Sequence, residues 1–355
     1  MGIFNTLFGW IGKEDQEADP FAIDEPINDI PIPAEVIEES VAESAPPSPD
    51  DGYWWESPAP MPEKAVEFEE VDTDAIYQKI ADRLLNKEIT MVDIPDNVMH
   101  TMQLLDQEEF DYAEVTEQIE KSPGLLGEFL KAANSAQFNR GKKITNIRVI
   151  LPRLGRSNVK GILYLSSSKM ALPGHELFKV VASEIVEHSM VVGRIAEYLS
   201  QNYYTDPNKA FLAGLVHDVG KMAIIKELGE TTALPSDIDI SFSETLFNNI
   251  FPNLHVEAGE LIGSYWQLDG EILQAIRHHH ASSYTDEKDA MLLPALINFS
   301  DSCARLLGFG RPMEAVDIFS LPSAKALYIE DNPATRAFLQ GLMELFEDVE
   351  RDDSA

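Results

Sequence analysis

The 355-residue sequence has little cysteine, few basic side chains and no long apolar run. Its single cysteine, Cys303, excludes an internal disulfide framework and fits a reducing compartment, where a lone thiol is usually a small buried apolar group. No apolar stretch approaches the roughly 20 residues that a membrane span needs, and no signal peptide is visible. The sequence therefore predicts a cytoplasmic protein without a transmembrane segment.

Basic residues are scarce, since 27 Lys and Arg stand against 61 Asp and Glu and give a formal net charge of −34. A surface this negative repels nucleic acid backbones and anionic lipid head groups, so neither is an expected partner. The charge is also uneven, because residues 13–74 hold 20 Asp and Glu against Lys13 and Lys64, a net of −18.

The first 74 residues form two segments of different composition. Residues 1–12 are apolar, and their spacing predicts an amphipathic helix that orders only on contact with a partner. A frayed terminus is the alternative. Residues 13–74 are acidic and rich in proline, so we expect a disordered linker. Trp54 and Trp55 within it are expected to be solvated, and docking on a partner or on the domain is the alternative. A protein partner is expected to bind through one of these two segments.

The remainder of the chain has the periodicity of helices. Apolar residues recur every three or four positions through residues 75–315, as at Val181, Ile185 and Val192, and no convincing alternating strand occurs. The predicted fold class is therefore all-α. Residues 316–355 are predicted to form a C-terminal helix, from about residue 333 to residue 349, followed by an acidic tail.

Six of the eight histidines lie at positions that suggest one common site: His188, His217, His255, His278, His279 and His280. Adjacent residues on a helix point about 100° apart, so His217 and Asp218 can meet one centre only at the edge of a cavity. Asp301 lies on an apolar stripe of its helix, where a carboxylate is costly to bury unless it is paired or ligated. Imidazoles and carboxylates together are ligands that Mn, Fe or Zn accept.

Each of these features has a simpler explanation when it is taken alone. A lone histidine on an apolar face is more often a hydrogen-bonded core residue than a ligand. Three consecutive histidines could also be a solvated helix end that complements the helix dipole. The combination of motifs favours a metal site, and a hydrogen-bonded histidine core without metal stays open as an alternative.

The order of these motifs resembles the HD metal-dependent phosphohydrolase superfamily. The matching pieces are His188, HDVGK from His217, HVEAGELIG from His255, AIRHHH from Ala275, and Asp301. The segment SPGLLGEFLKAANSAQFNRGKKITNIRVILPRLG, which ends at Gly155, is similar to the helical half of the HDOD family, although Pro152 is expected to interrupt its last helix. The resemblance covers about residues 92–307 and implies an HD-type multi-helix bundle with an N-terminal helical subdomain.

The resemblance also implies a divalent transition metal, Fe, Mn or Zn, as one ion or a pair. The implied ligands are His188, His217, Asp218, His255, His278 or His279, and Asp301. Lys221 stands at the lysine of the superfamily's HD-x-GK motif, which can hold a substrate phosphate, and in an active enzyme Lys221 and Asp218 would be catalytic. Lys221 could instead be a solvated lysine that caps its helix. Glu184, one turn before His188, is a weaker candidate for a further oxygen ligand.

HDOD proteins resemble non-enzymatic modules of bacterial signalling, which implies a regulatory domain that binds a partner protein or a nucleotide. Cyclic-dinucleotide phosphodiesterases of the HD-GYP type follow their paired histidines with an acidic residue and a Gly-Tyr-Pro loop, whereas residues 281–284 here are Ala-Ser-Ser-Tyr. The alternative is an active metal-dependent phosphohydrolase that acts on a nucleotide or a cyclic nucleotide. A scaffold without metal is the third interpretation.

Overall fold

The computed structural model describes residues 53–56, 73–92, 94–134, 146–172, 176–231, 246–284 and 291–346. In these ranges every regular element is helical and no strand occurs, so the predicted all-α class is confirmed. The α-helices are α1 (Thr73–Leu85), α2 (Asp96–Asp106), α3 (Tyr112–Glu120), α4 (Pro123–Asn134), α5 (Ile147–Met170), α6 (Glu176–Tyr203), α7 (Pro207–Val216), α8 (Val219–Thr231), α9 (Phe251–Tyr265), α10 (Gly270–His278), α11 (Leu292–Leu306), α12 (Pro322–Ala326) and α13 (Pro333–Gln340).

Shorter helical turns complete the described part of the chain. A π turn, Leu246–Ile250, runs directly into α9, and 3-10 turns occur at Trp54–Glu56, Ile318–Ser320 and Met343–Leu345. Among the described residues, no helix combines the length and the apolar character that crossing a bilayer requires.

Local chemistry sets where several helices begin. The side chain of Asp206 accepts a hydrogen bond from the backbone N–H of Lys209, and Pro207 occupies the first turn of α7. Asp269 caps α10 by accepting from the N–H of Glu271. A cap of this kind satisfies one of the backbone donors that a helix leaves unpaired at its start.

The expected interruption at Pro152 falls at a different residue. Pro152 lies inside α5, and the backbone leaves the helical region at Gly155, where φ is 75°. Proline removes one helical N–H, but the break occurs at the glycine because a residue without Cβ adopts a positive φ at little cost.

The six helices α6 to α11 pack as one bundle that positions the candidate site. Helix α6 lies against α7 and α11, α8 lies against α9, and α10 contacts both α9 and α11. Their facing side chains form a continuous buried core that includes Phe211, Phe251 and Phe299. The core therefore holds the site-bearing helices in fixed relative positions.

The N-terminal helices α1 to α5 are joined to this bundle by buried polar contacts. Glu227 of α8 is fully buried, forms an ion pair with Arg83 of α1 and accepts a hydrogen bond from the N–H of Thr90 at 2.7 Å. The indole of Trp266 donates to the carbonyl of Val92 at 3.1 Å. These contacts fix the N-terminal helical subdomain against the bundle.

Residues 53–56 lie inside the expected linker, yet they pack on the domain. Trp55 is buried and meets the ring of Phe319 edge-on, with centroids 6.1 Å apart. Trp54 donates its indole N–H to the carbonyl of Leu339 at 3.1 Å. These tryptophans therefore take the alternative of docking on the domain rather than the expected solvated state, because the C-terminal helices offer them an apolar surface and a carbonyl acceptor.

The C-terminal helix is shorter than predicted. Helix α13 ends at Gln340, and a separate 3-10 turn, Met343–Leu345, follows it. The predicted helix at residues 1–12, the acidic tail after residue 346, and the linker apart from residues 53–56 and the first residues of α1 lie outside the described residues.

Candidate metal centre

Six side chains meet at the centre of the bundle, and all six are buried. They are His188 of α6, His217 and Asp218 between α7 and α8, His255 of α9, His279 just after α10, and Asp301 of α11. Each of these residues was predicted as a ligand from the sequence.

Asp218 lies between two groups of imidazoles. Its Oδ2 atom is 3.3 Å from Nε2 of His217 and 3.8 Å from Nε2 of His188. Its Oδ1 atom is 3.5 Å from Nε2 of His255 and 3.9 Å from Nε2 of His279. One carboxylate therefore faces both groups, with one oxygen toward each.

Asp301 completes the first of these groups. Its Oδ1 atom is 3.0 Å from Nε2 of His188, and its Oδ2 atom is 3.9 Å from Nη1 of Arg305. Burial alone would raise the pKa of Asp301, but His188 and Arg305 hold it well below its usual range. The carboxylate is therefore ionised, and its position on an apolar stripe is explained by the partners around it.

The four imidazoles share one orientation. Their Nδ1 atoms face backbone carbonyls: His188 that of Phe309 (3.1 Å), His217 that of Gly214 (2.7 Å), His255 that of Phe251 (2.6 Å) and His279 that of Ile276 (2.8 Å). A carbonyl only accepts, so Nδ1 carries a proton in each of the four rings, and Nε2 is the nitrogen that points into the cluster. Histidines that ligate metals are commonly oriented by a hydrogen bond of this kind.

Two of these Nε2 atoms face each other directly. The Nε2 atoms of His255 and His279 are 3.2 Å apart. Burial lowers the pKa of His255 to about 3, and burial with the neighbouring His280 lowers the pKa of His279 well below its ordinary value, so both rings are neutral. Two nitrogens at about 2.0–2.1 Å from one ion, with an angle of roughly 90–109° at the ion, lie about 2.8–3.4 Å apart. The observed spacing fits two ligands of one cation.

The carboxylate of Asp218 is a second, independent observation that favours a metal at this site. Burial by itself raises the pKa of its carboxyl, but His217 and Lys221 hold the pKa well below its usual range. The Oδ1 atom of this ionised group is buried and accepts no hydrogen bond from the described residues. A buried anionic oxygen without a hydrogen bond is costly, and a cation beside it would remove that cost. The residues present therefore fit a divalent metal.

Lys221 contacts the same carboxylate from one turn further along α8. Its Nζ atom is bonded to Oδ2 of Asp218, and only 17% of its side chain is exposed. The alternative in which Lys221 is a solvated helix cap is therefore wrong, because the ammonium group lies at the site.

A cavity of about 270 Å³ opens beside the cluster. Its wall includes four of the predicted ligands, His188, Asp218, His255 and Asp301, together with Lys221. Glu184, the weaker candidate ligand, also lines this cavity. A small molecule that entered the cavity would therefore reach the groups that face the centre.

The three consecutive histidines take different positions. His279 enters the cluster, and His280 lies at the exposed rim, with a ring nitrogen within 4.8 Å of nitrogens of His255 and His279. His278 is the last residue of α10, only half-buried, has Arg277 as a charged neighbour, and belongs to neither group. The sequence left His278 and His279 open; in the structure His279 and His280 lie at the cluster and His278 does not.

The fold and the site together define a class: an all-helical protein whose buried histidine–aspartate cluster has the donor set of a metal centre. The protein-family model of the HDOD domain matches residues 91–282, which are more than half of the chain. The chain therefore belongs to the HDOD domain family.

Curated proteins that are similar to this chain are longer than the matched part. An uncharacterized protein of Treponema pallidum is 19% identical over 255 residues, which are 70% of this chain and 48% of that protein. Ribonuclease Y of Mycoplasmoides gallisepticum is 30% identical over 119 residues, which are 33% of this chain and 18% of that protein. The chain thus spans less than half the length of either relative.

Solved structures share the fold at low identity. An HDOD domain protein of unknown function from Geobacter sulfurreducens has a TM-score of 0.55 at 20% identity, covering 78% of this chain and 98% of that one. A protein of Shewanella amazonensis, provisionally named a metal-dependent phosphohydrolase, has the same TM-score of 0.55 at 18% identity and the same coverage. Both likenesses show the helical architecture.

Proposed function

We propose that this chain is an HDOD regulatory module that binds a divalent transition metal at its histidine–aspartate cluster. The observation that carries the proposal is the facing pair of neutral Nε2 atoms, His255 and His279, beside the ionised Oδ1 of Asp218. Facing lone pairs and a buried anionic oxygen repel each other unless a cation lies among them.

The ligands fall into two groups that share Asp218. His188, His217 and Asp301 would hold metal with one oxygen of Asp218, and His255 and His279 would hold metal with the other. Four imidazoles and two carboxylates suit Fe, Mn or Zn better than Mg or Ca, which prefer oxygen ligands. The arrangement supports one ion or a pair.

In this function the metal stabilises the bundle. The ligands come from α6, from the junction of α7 and α8, from α9, from the end of α10 and from α11, so one centre ties together all the helices of the bundle. Binding to the folded state alone stabilises it by about 2.7 kcal/mol when the free metal is at 100 times its Kd. The partner of the module would be a signalling protein, docked through residues 1–12 or the linker, or a nucleotide.

A second candidate function is metal-dependent phosphoester hydrolysis. The cavity favours it, because Asp218 and Lys221 both line a space that a small molecule could enter. A bound metal would supply Lewis-acid chemistry toward a phosphoryl oxygen, and Lys221 would hold the phosphate as a point charge. The similarity to ribonuclease Y supports a phosphodiester as the test substrate, while the net charge of −34 disfavours RNA itself.

The test uses the full chain, purified without chelator and supplied with Mn²⁺. A regulatory module is expected to melt at a higher temperature with Mn²⁺ than after chelation, and to leave bis(p-nitrophenyl) phosphate intact. The second function would be established instead if the chain hydrolysed this substrate, Lys221→Ala slowed the reaction, and the control Lys325→Ala, at an exposed residue, left it unchanged. A melting temperature indifferent to Mn²⁺, with no turnover, would contradict both.

A further inference from the structure

The Nδ1–H of His188 finds its acceptor in a different part of the chain from those of the other three imidazoles. His217, His255 and His279 each bond through Nδ1 to a carbonyl three or four positions earlier, so the local helical backbone supplies the acceptor. The acceptor of His188 is the carbonyl of Phe309, which is 3.1 Å away and 121 positions later in the chain. The direction of this ring therefore depends on a tertiary contact.

The acceptor lies in the loop formed by residues 308–311, directly after α11. Gly310 of this loop has a φ of 90°, and a Cβ on it would lie 2.6 Å from Nδ1 of His188. Only a glycine lets the backbone of the loop lie this close to the imidazole. Because the loop and the ring are in contact, the ring keeps its position only if the loop keeps its own.

The loop is tied back to the helix that carries Asp301. The backbone N–H of Phe309 donates to a carbonyl in the last turn of α11 at 2.9 Å, and Nε of Arg305 donates to the carbonyl of Arg311, also at 2.9 Å. Nη1 of Arg305 also lies 3.9 Å from Oδ2 of Asp301. The loop consequently contacts the surroundings of both His188 and Asp301, two ligands of the first group.

The side chain of Phe309 is held by the C-terminal end of the described chain. Its ring lies against that of Phe346, with the centroids 5.1 Å apart, a distance typical of favourable aromatic pairs. Phe346 is buried and directly follows the 3-10 turn Met343–Leu345. Neither ring lines the cavity beside the cluster. This aromatic pair therefore links the C-terminal residues to the carbonyl that orients His188.

We propose that Phe346 is a positioning residue of the metal centre: by packing on Phe309, it holds residues 308–311 where the Phe309 carbonyl orients His188. This role rests on the proposed metal function and deepens it, because metal affinity then depends on residues outside the ligand set. The effect is specific to the group that contains His188, since the other imidazoles keep acceptors supplied by their local helices.

The test measures Mn²⁺ affinity of the full chain by calorimetry after chelation, together with thermal melting of the same metal-free samples. Loss of an outer-shell partner typically weakens metal binding 10–100-fold, and Phe346 acts on such a partner indirectly, so Phe346→Ala is expected to weaken Mn²⁺ binding about tenfold. Phe346→Leu keeps an apolar side chain against Phe309 and should restore most of the affinity.

The matched control is Phe338→Ala. Phe338 lies in α13, and its ring stacks on Tyr198 of α6, the helix that carries His188, rather than on Phe309. This variant should melt at a lower temperature, because it loses an aromatic contact, but its Mn²⁺ affinity should equal that of the wild type. The metal-free melting curves show whether each variant is folded. Phe309→Leu, which keeps the backbone carbonyl, replaces Phe346→Ala if that chain does not fold, and should show a smaller loss of affinity.

A double-mutant cycle with His188→Ala separates positioning from general stability. If Phe346 acts through His188, Phe346→Ala should cost no further affinity once the imidazole is gone. The same loss in both backgrounds, wild-type affinity in Phe346→Ala, or an equal loss in Phe338→Ala would overturn the positioning role while the metal function stood. If His188→Ala binds no Mn²⁺, the comparison of Phe346→Ala with Phe338→Ala decides. A wild-type chain that binds no Mn²⁺ would overturn both proposals.

Discussion

Gly220→Ala tests the packing that brings the two groups of ligands together. Gly220 lies at the start of α8, two residues after Asp218, where α8 crosses α9. A Cβ on Gly220 would lie 1.9 Å from the carbonyl oxygen of His255 and 2.5 Å from the backbone nitrogen of Gly259. Ordinary Cβ contacts begin at 3.4 Å, so α8 and α9 would have to separate by about 1.5 Å. Metal–ligand distances tolerate only about 0.2 Å.

The expected result is therefore loss of both stability and metal. Overpacking typically costs 1–3 kcal/mol, and a clash with backbone places this variant at or above about 3 kcal/mol. For a domain of this size that lowers the melting temperature by roughly 6–12 °C, measurable by calorimetry, and metal content should fall with it.

The matched control is Gly127→Ala in α4. A Cβ there meets no atom within 4 Å, so this variant should gain about 0.5–1 kcal/mol from helix propensity. A Gly220→Ala chain that melts with the wild type and keeps its metal would refute the argument from helix contact.

Further variants test other contacts. Trp55→Ala should destabilise the chain by about 3 kcal/mol, because it removes a buried aromatic side chain. The control Leu85→Ala changes a side chain that is 81% exposed, so its stability should stay within about 0.5 kcal/mol of the wild type. Thermal melts compare the two variants. Glu227→Gln should lower the free energy of unfolding, measured with denaturant, by about 1–3 kcal/mol. This is less than for a fully buried ion pair, because the side chain of the partner Arg83 is 31% exposed. A loss below about 0.5 kcal/mol would argue that this ion pair does not hold α1 against α8. His279→Ala should lower metal content while His278→Ala leaves it intact; the reverse result would show that the wrong histidine has been placed in the cluster.

The helical class and most of the candidate site were accessible from the sequence. Apolar spacing along residues 75–315 predicts helices because each amphipathic helix must bury one face. Asp301 was identifiable because a carboxylate on an apolar stripe needs a partner, and the His217–Asp218 pair because adjacent helical residues converge only at a cavity edge. The structure brings all three of these residues into one buried cluster.

Other features depend on tertiary contacts that no local pattern encodes. Helix α10 ends at His278, and this end determines which of the three consecutive histidines points into the cluster. The spacing of residues alone does not predict where a helix ends. Trp54 and Trp55 dock on a surface that is nearly 300 positions away in the sequence. A short aromatic motif in an acidic segment does not reveal that surface, so the local sequence favours solvated side chains. Arg311 reaches the cavity through a loop, whose course periodicity does not predict.

Metal content of the purified full chain tests the central claim most directly. Prepared without chelator and analysed by mass spectrometry, the wild type should hold at least one Fe, Mn or Zn ion per chain. Asp218→Asn keeps the shape of the shared ligand but removes its charge, so this variant, like His217→Ala combined with Asp301→Ala, should lose the metal and melt at a lower temperature. A wild-type chain free of metal, whose melting is unchanged by added Mn²⁺, Fe²⁺ or Zn²⁺ and by Asp218→Asn, would contradict the account.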